Sequence, residues 1–243
     1  MASDRTADEV DVTTPNAEKP VAIRQIARPK LVRDAALESI KHAIIHGRLE
    51  PGERLVERKL CEATGASRAS IREVIRQLEA DRLVTVTAHR GPAVARLTEA
   101  QAEEIYELRA DLEARLVRAF CACATDGDIR ELYDCFAEIK EAAKAKDKHA
   151  LVEIMLRFNG HMMQVSGLEV TSDLLKSLLA RISWLRVLSM TEPQRISKSV
   201  GEIGKILAAV KKRDAVAAEE AVRVYLRNAA QSALLQMRKR ETA

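Results

Sequence analysis

Arg68, Arg72 and Arg76 recur every fourth residue through the stretch SRASIREVIRQLEA. Four residues turn an α-helix by ~400°, a drift of only ~40° per step, so three such guanidiniums form one stripe. Ile71, Val74, Ile75 and Leu78 follow the i, i+3, i+4, i+7 pattern of a buried face on the opposite side. Ser67 stands where a hydroxyl can cap the helix N-terminus. A helix of this kind fits the major groove of double-stranded DNA, where arginine pairs with guanine in bidentate fashion and also binds phosphates. Arg58, in the segment before it, and Arg90, in the segment after it, are placed to clamp the flanking backbone. Alone, the stripe reads equally as a solvated helix face. A glycine turn ahead of it and a basic hairpin behind it turn the reading to DNA.

These side chains need a frame, and the periodicity supplies one. Residues 33–46 repeat Leu37, Ile40 and Ile44 on one face, with Gly47 as a stop. A Pro51-Gly52 turn leads to a short helix over 57–63, with Val56, Leu60 and Ala63 expected inward. After Leu83 the period changes: Val84 to Thr87 and Ala93 to Arg96 flank a glycine-containing turn, a hairpin or wing. From Thr98 onward only helical patterns follow, at 98–123, 127–145, 147–165, 169–190, 194–212 and 214–238. Their inward positions include Leu108 in the first and Leu174 in the fourth. The expected fold is mainly α: a winged helix-turn-helix head at 29–97 joined to an all-α helical bundle at 98–243. Residues 1–28 show no sustained apolar period and read as a flexible arm.

Composition agrees. The 243 residues are 47% hydrophobic and 31% charged, with aromatics at only 3%, which favours helices packed on helices. The net charge of +4 suits a polyanionic partner only if it is concentrated on one element. No run is long and apolar enough for a bilayer, since Arg181 and Arg186 interrupt 178–190. The polar, acidic start is unlike a signal peptide, so the cytoplasm is the expected location and no membrane partner is expected. Cys61, Cys121, Cys123 and Cys135 lack paired metal-ligand spacing and read as reduced, semi-buried thiols. With no glycine-rich phosphate loop, serine elbow or cysteine–histidine pairing, an enzyme is not expected.

The stretch 37–94, with GRLEPGERLVERKLCEATGASRASIREVIRQLEADRLV and HRGPAV, resembles the GntR family of bacterial regulators. The resemblance implies DNA contacts from Arg58, Arg68, Arg72 and the wing Gly91, with Arg90 joining them by charge and position. It also places Ser67 and Ser70 where family members set small polar residues against phosphate. One departure is Asp81-Arg82, where the family usually has a glycine before Leu-Val.

IYELRADLEARLVRAFCA, RFNGHMMQVSG and AVKKRDAVAAEEAVRVYL resemble the ligand-binding domain of the FadR-like branch. That likeness implies an all-α bundle that dimerises and holds a small-molecule effector at its centre. Metal-binding members of this branch use an Asp and a His four residues apart plus two later His. Aligned on this chain, those positions are Met155, Asn159, Ile203 and Tyr225, none of them a strong ligand, so no metal and no cofactor is expected. His161 lies ~200° round the helix from Asn159 and, like His149, is expected at the surface or between helices. What is left is a mostly apolar cavity around Met155, Asn159, Ile203 and Tyr225, with Asn228 one turn beyond Tyr225. Arg109 matches a family position near the effector, and a buried arginine beside apolar walls suits a carboxylate. Equally, Met155 and Ile203 could fill the space as core while Arg109 pairs with Glu113. The first alternative makes a sensor; the second leaves a bundle that only dimerises. Either way the expected protein is a homodimeric regulator, repression being favoured, with one recognition helix for each half of a near-palindromic operator.

Overall fold

The computed structural model describes residues 28–192 and 194–241, with side chains from 32 to 240. The arm read at 1–28 lies outside the described residues except for Arg28, which already begins helix α1 (Arg28–Ile45). Ala36, Ile40 and Ile44 form its buried face, while Leu37 sits at the edge. Helix α2 (Glu57–Thr64) ends at Gly65, whose φ of 69° is open to a residue without a Cβ. Only Leu60 of α2 is buried; Val56 and Ala63, expected inward, face solvent. Val56 is the extended residue ahead of the helix, and one short helix reaches its neighbour through a single turn.

Helix α3 (Arg68–Ala80) buries Ile71, Val74, Ile75 and Leu78, as its period requires. The hairpin pairs β1 (Val84–Thr87) with β2 (Gly91–Val94) in the register Val84↔Val94 and Thr87↔Gly91. The second strand thus begins two residues earlier than expected and includes Pro92. Proline is tolerated because its carbonyl, not a missing N–H, is used: it accepts from the Leu55 amide at 2.9 Å. Gly52 donates to Val94 and Val94 donates to Glu53, so the 52–55 segment runs along the wing and anchors it.

At the end of α3, Arg82 has a φ of 60°, the left-handed turn for which the family uses glycine. The Leu83 amide still reaches the Leu78 carbonyl at 2.9 Å, so the departure costs strain and not the turn. Arg82→Gly is therefore expected to raise unfolding free energy by up to about 1 kcal/mol, relief of strain exceeding the added chain entropy. A urea midpoint that is unchanged or lower would contradict this.

The remaining chain is helical: α4 (Glu99–Cys123), α5 (Asp126–Ala145), α6 (Lys148–Ser166), α7 (Glu169–Arg181), α8 (Ser183–Ser189), α9 (Arg195–Lys211) and α10 (Ala215–Glu241). Thr98 and Thr125 start α4 and α5 with reciprocal capping boxes, and Asp147 caps α6. The pattern expected as one helix at 169–190 is two, divided at Ile182. The Ser183 hydroxyl donates to the Ala180 carbonyl at 2.9 Å, competing with the helical amide ladder at the break. Leu108 and Leu174, expected inward, are 46% and 55% exposed, because the helices packed on α4 and α7 meet other faces. The main core joins α4, α5, α6, α9 and α10 around Phe120, Leu132, Ile139, Leu207 and Leu226. The head core, centred on Ile71 and Leu78, extends to Ala180 of α7, so the head rests on the bundle. Among the described residues, no helix is long and apolar enough to cross a membrane.

Candidate functional site

Two places carry the sequence-derived candidates. In the head, Arg68, Arg72 and Arg76 are exposed along α3, opposite its buried face. The Ser67 hydroxyl accepts from the Ser70 amide at 3.2 Å and lies 3.0 Å from the Ser70 hydroxyl, so both serines are fixed at the N-terminus of α3. Arg72 Nε is 3.1 Å from each carboxylate oxygen of Glu57, which holds the guanidinium across from α2. Arg58 bonds Glu62 at 2.7 Å on the exposed side of α2. Arg90 is exposed at the wing tip, and the adjoining Gly91 has a φ of 74°. Arg54 was not singled out by spacing, yet it bridges to Ala93 and lies beside Gly91, adding a cation to the wing. A basic helix, a serine-capped N-terminus and a basic wing on one head make a surface complementary to a phosphate-lined groove.

In the bundle, Arg109, Met155, Ile203 and Tyr225 do converge on one cavity, of about 40 Å³. That is room for roughly three water molecules. Ile139, Leu151 and Val200 add apolar wall, while Ser189 and Ser199 add hydroxyls. Asn159 does not join them. It lines a groove between α6, α7 and the head, near Lys41 and Asp81, and its buried Nδ2 has no hydrogen-bond partner. Nor does Asn228 line the cavity: its amide donates to Glu202 Oε1 at 2.7 Å. Both corrections have one cause, since the sequence spacing sets which face of a helix a residue shares but not which neighbour that face meets.

Three arginines surround the cavity, and two of them, Arg186 and Arg195, were missed. Arg109 donates through Nε and Nη2 to Glu113 Oε1 at 2.9 and 2.7 Å, with both residues buried. Arg195 bonds Glu202 at 2.8 Å and lies over the Tyr225 ring. Arg186 is 7% exposed, and its guanidinium makes no hydrogen bond or ion pair to any described residue. Burial depresses its affinity for the proton and the Arg109 cation adds to that, while Tyr225, the Glu113 carboxylate already bonded to Arg109, and Tyr106 oppose it only in part. Three cations therefore face two carboxylates, leaving one positive charge in a nearly closed site. The available signal was the pair of arginines breaking an otherwise apolar run. No His, Cys, Asp or Glu lines this cavity among the described residues, so its donor set does not fit a transition metal. His161 is away from it, with Nε2 3.0 Å from the Asp128 carbonyl and Nδ1 3.2 Å from Glu131, an interhelical link between α6 and α5. Of the cysteines, Cys121 and Cys135 are buried, but Cys123 is exposed, unlike the semi-buried expectation.

Comparison with known proteins places both halves. Residues 33–94 match the model described as bacterial regulatory proteins, gntR family, and residues 104–228 match the FCD domain. The chain is 33% identical over 202 residues to the HTH-type transcriptional repressor GlaR of Escherichia coli (strain K12), covering 77% of this chain and 89% of that protein. It is 28% identical over 187 residues to the uncharacterized HTH-type transcriptional regulator YdhC of Bacillus subtilis (strain 168), covering 75% of this chain and 82% of that one. The solved structure of E. coli McbR/YncC shares the fold, with a TM-score of 0.75 at 20% identity over 86% of this chain and 98% of that one. The arginine-striped head and the helical bundle behind it are thus parts of one known arrangement, and the chain belongs to the GntR family of DNA-binding transcription regulators, in the branch that carries an FCD domain.

Proposed function

We propose that this protein is a cytoplasmic, homodimeric repressor released or retained on its operator by a small organic acid, which binds in the bundle cavity without a metal. The head, 29–97, presents Arg68, Arg72 and Arg76 to the major groove of one half-site, with Ser67 and Ser70 against phosphate and Arg58, Arg90 and Gly91 on the flanks. The bundle, 98–243, holds two copies together and carries the sensor. The observation that carries the sensing half is Arg186: a buried cation facing a cavity, with no acid of its own. A carboxylate there would supply the missing counter-charge, and Ile139, Leu151 and Ile203 would contact an apolar tail. Lys140, Lys144, Lys146 and Lys148 line an outer groove that shares Met190, Ile196 and Val200 with the cavity, a cationic approach for an anion. The volume of about 40 Å³ means that a larger acid enters only as flexible walls such as Met155 and Met190 move.

A thermal-shift panel of organic acids on the full-length protein tests this, followed by operator binding with and without the hit. Arg186→Met is expected to weaken the hit about 10–100-fold, the value of a charge-assisted hydrogen bond. Without ligand the same variant should melt at the same or a higher temperature, because it removes an uncompensated buried charge. The small cavity and the Arg109–Glu113 pair favour a second reading, a closed bundle that only dimerises. That reading gains if no acid shifts the melting temperature, or if the acid that does so leaves operator affinity unchanged.

A further inference from the structure

Where the head meets the bundle, two distant parts of the chain come together: His42 in the last turn of α1 with His46 just past its end, and Glu153 on α6. The His46 amide still bonds the His42 carbonyl at 3.0 Å, so the spacing of four keeps the two imidazoles on one face. Glu153 Oε1 lies 3.1 Å from His46 Nε2 and 3.3 Å from His42 Nε2. Each of the three residues has a ligand atom within 4.8 Å of those of the other two. Ligands held about 2.0–2.1 Å from a tetrahedral ion are separated by about 3.3 Å, so the two measured gaps already match edges of such a site. The imidazole rings sit with centroids 3.9 Å apart, close packing for two groups that would repel if both were protonated.

We propose that His42, His46 and Glu153 bind one divalent transition-metal ion, with zinc or nickel suited to two imidazoles and a carboxylate, as a clamp between the DNA-binding head and the effector bundle. The fourth position is left for a water. His46 is only 4% exposed, whereas His42 and Glu153 are about half exposed, so one rigid ligand faces two that an ion can reach from solvent. Glu153 lies between Leu151 and Met155, which wall the effector cavity from the same helix. An ion here would fix α1 against α6 and so tie head placement to the cavity. This site is separate from the family position in the bundle cavity. No spacing rule exposes it, because two of its ligands come from the end of α1 and the third from α6, far apart in the chain.

The test is a zinc and nickel titration of chelator-treated, full-length protein, read by calorimetry, by melting temperature and by the visible absorption of a cobalt-substituted sample. One ion per chain, a raised melting temperature and a tetrahedral cobalt spectrum are expected. His42→Ala and Glu153→Gln, both at solvent-facing positions, should each weaken binding by at least about 10–100-fold, the loss that even outer-shell changes produce. Arg186→Met should leave metal binding intact, which separates this site from the cavity. The proposal is overturned if no ion is held against a weak chelator, or if His42→Ala/Glu153→Gln binds zinc as tightly as the parent.

Discussion

Glu113→Ala is expected to lower the unfolding free energy by about 3–5 kcal/mol, the cost of leaving a buried charge without its partner. Glu113 is 5% exposed and Arg109 3%, and the carboxylate takes two charge-assisted bonds from that guanidinium. Desolvation works against the Arg109 charge, and the Glu113 carboxylate, together with Tyr106 and Tyr225, outweighs it. Arg186 lies close enough that the Arg109 cation already disfavours its charged form. Removing Glu113 would therefore leave three cations around one cavity against the single carboxylate Glu202. Urea unfolding followed by circular dichroism measures the loss. The double variant Arg109→Met/Glu113→Leu should recover most of it, since apolar residues of similar volume replace a buried pair at little cost. A Glu113→Ala loss below about 1 kcal/mol would mean that water in the cavity screens these charges, and that Arg186 needs no anion.

The second large effect belongs to the head. Arg72→Ala is expected to weaken binding to a selected operator by about 1–3 kcal/mol and to flatten preference at one base position, if Arg72 pairs with a base edge. Its guanidinium is exposed in mid-helix and held, among the described residues, by Glu57. On DNA that pairing must be exchanged or shared, so Glu57→Gln should tighten binding modestly by removing the competitor. Fluorescence anisotropy against a panel of operator variants distinguishes the roles. Equal loss on every sequence, with a salt slope reduced by about one, would assign Arg72 to phosphate instead.

Much of the head was legible because its information is local. The burial of Ile71, Val74, Ile75 and Leu78, the Ser67 cap and the exposure of Arg68, Arg72 and Arg76 all follow from the geometry of one helix. The left-handed Arg82 was visible as a residue standing where a glycine is usual. In the bundle, the helices and most breaks were legible for the same reason. The exception, the division at Ile182, depends on a serine hydroxyl bonding a carbonyl one turn back. Leu108 and Leu174 carry the apolar signature of a core yet face outward, since periodicity names a face without naming what covers it.

The sequence by itself determined the fold class, the exposed arginine stripe of α3 and the absence of strong ligands at Met155, Asn159, Ile203 and Tyr225. Only the tertiary structure decided that Asn159 turns to the head, that Arg186 is left without an acid among the described residues, and that His42 and His46, at the end of α1, meet Glu153 of α6. The physical reason is one of range. Helix propensity, capping and amphipathic period act over a few residues, so any short window displays them. Charge pairing in a cavity depends on which of several helices supply the partners, and that is settled when α4, α8, α9 and α10 pack together.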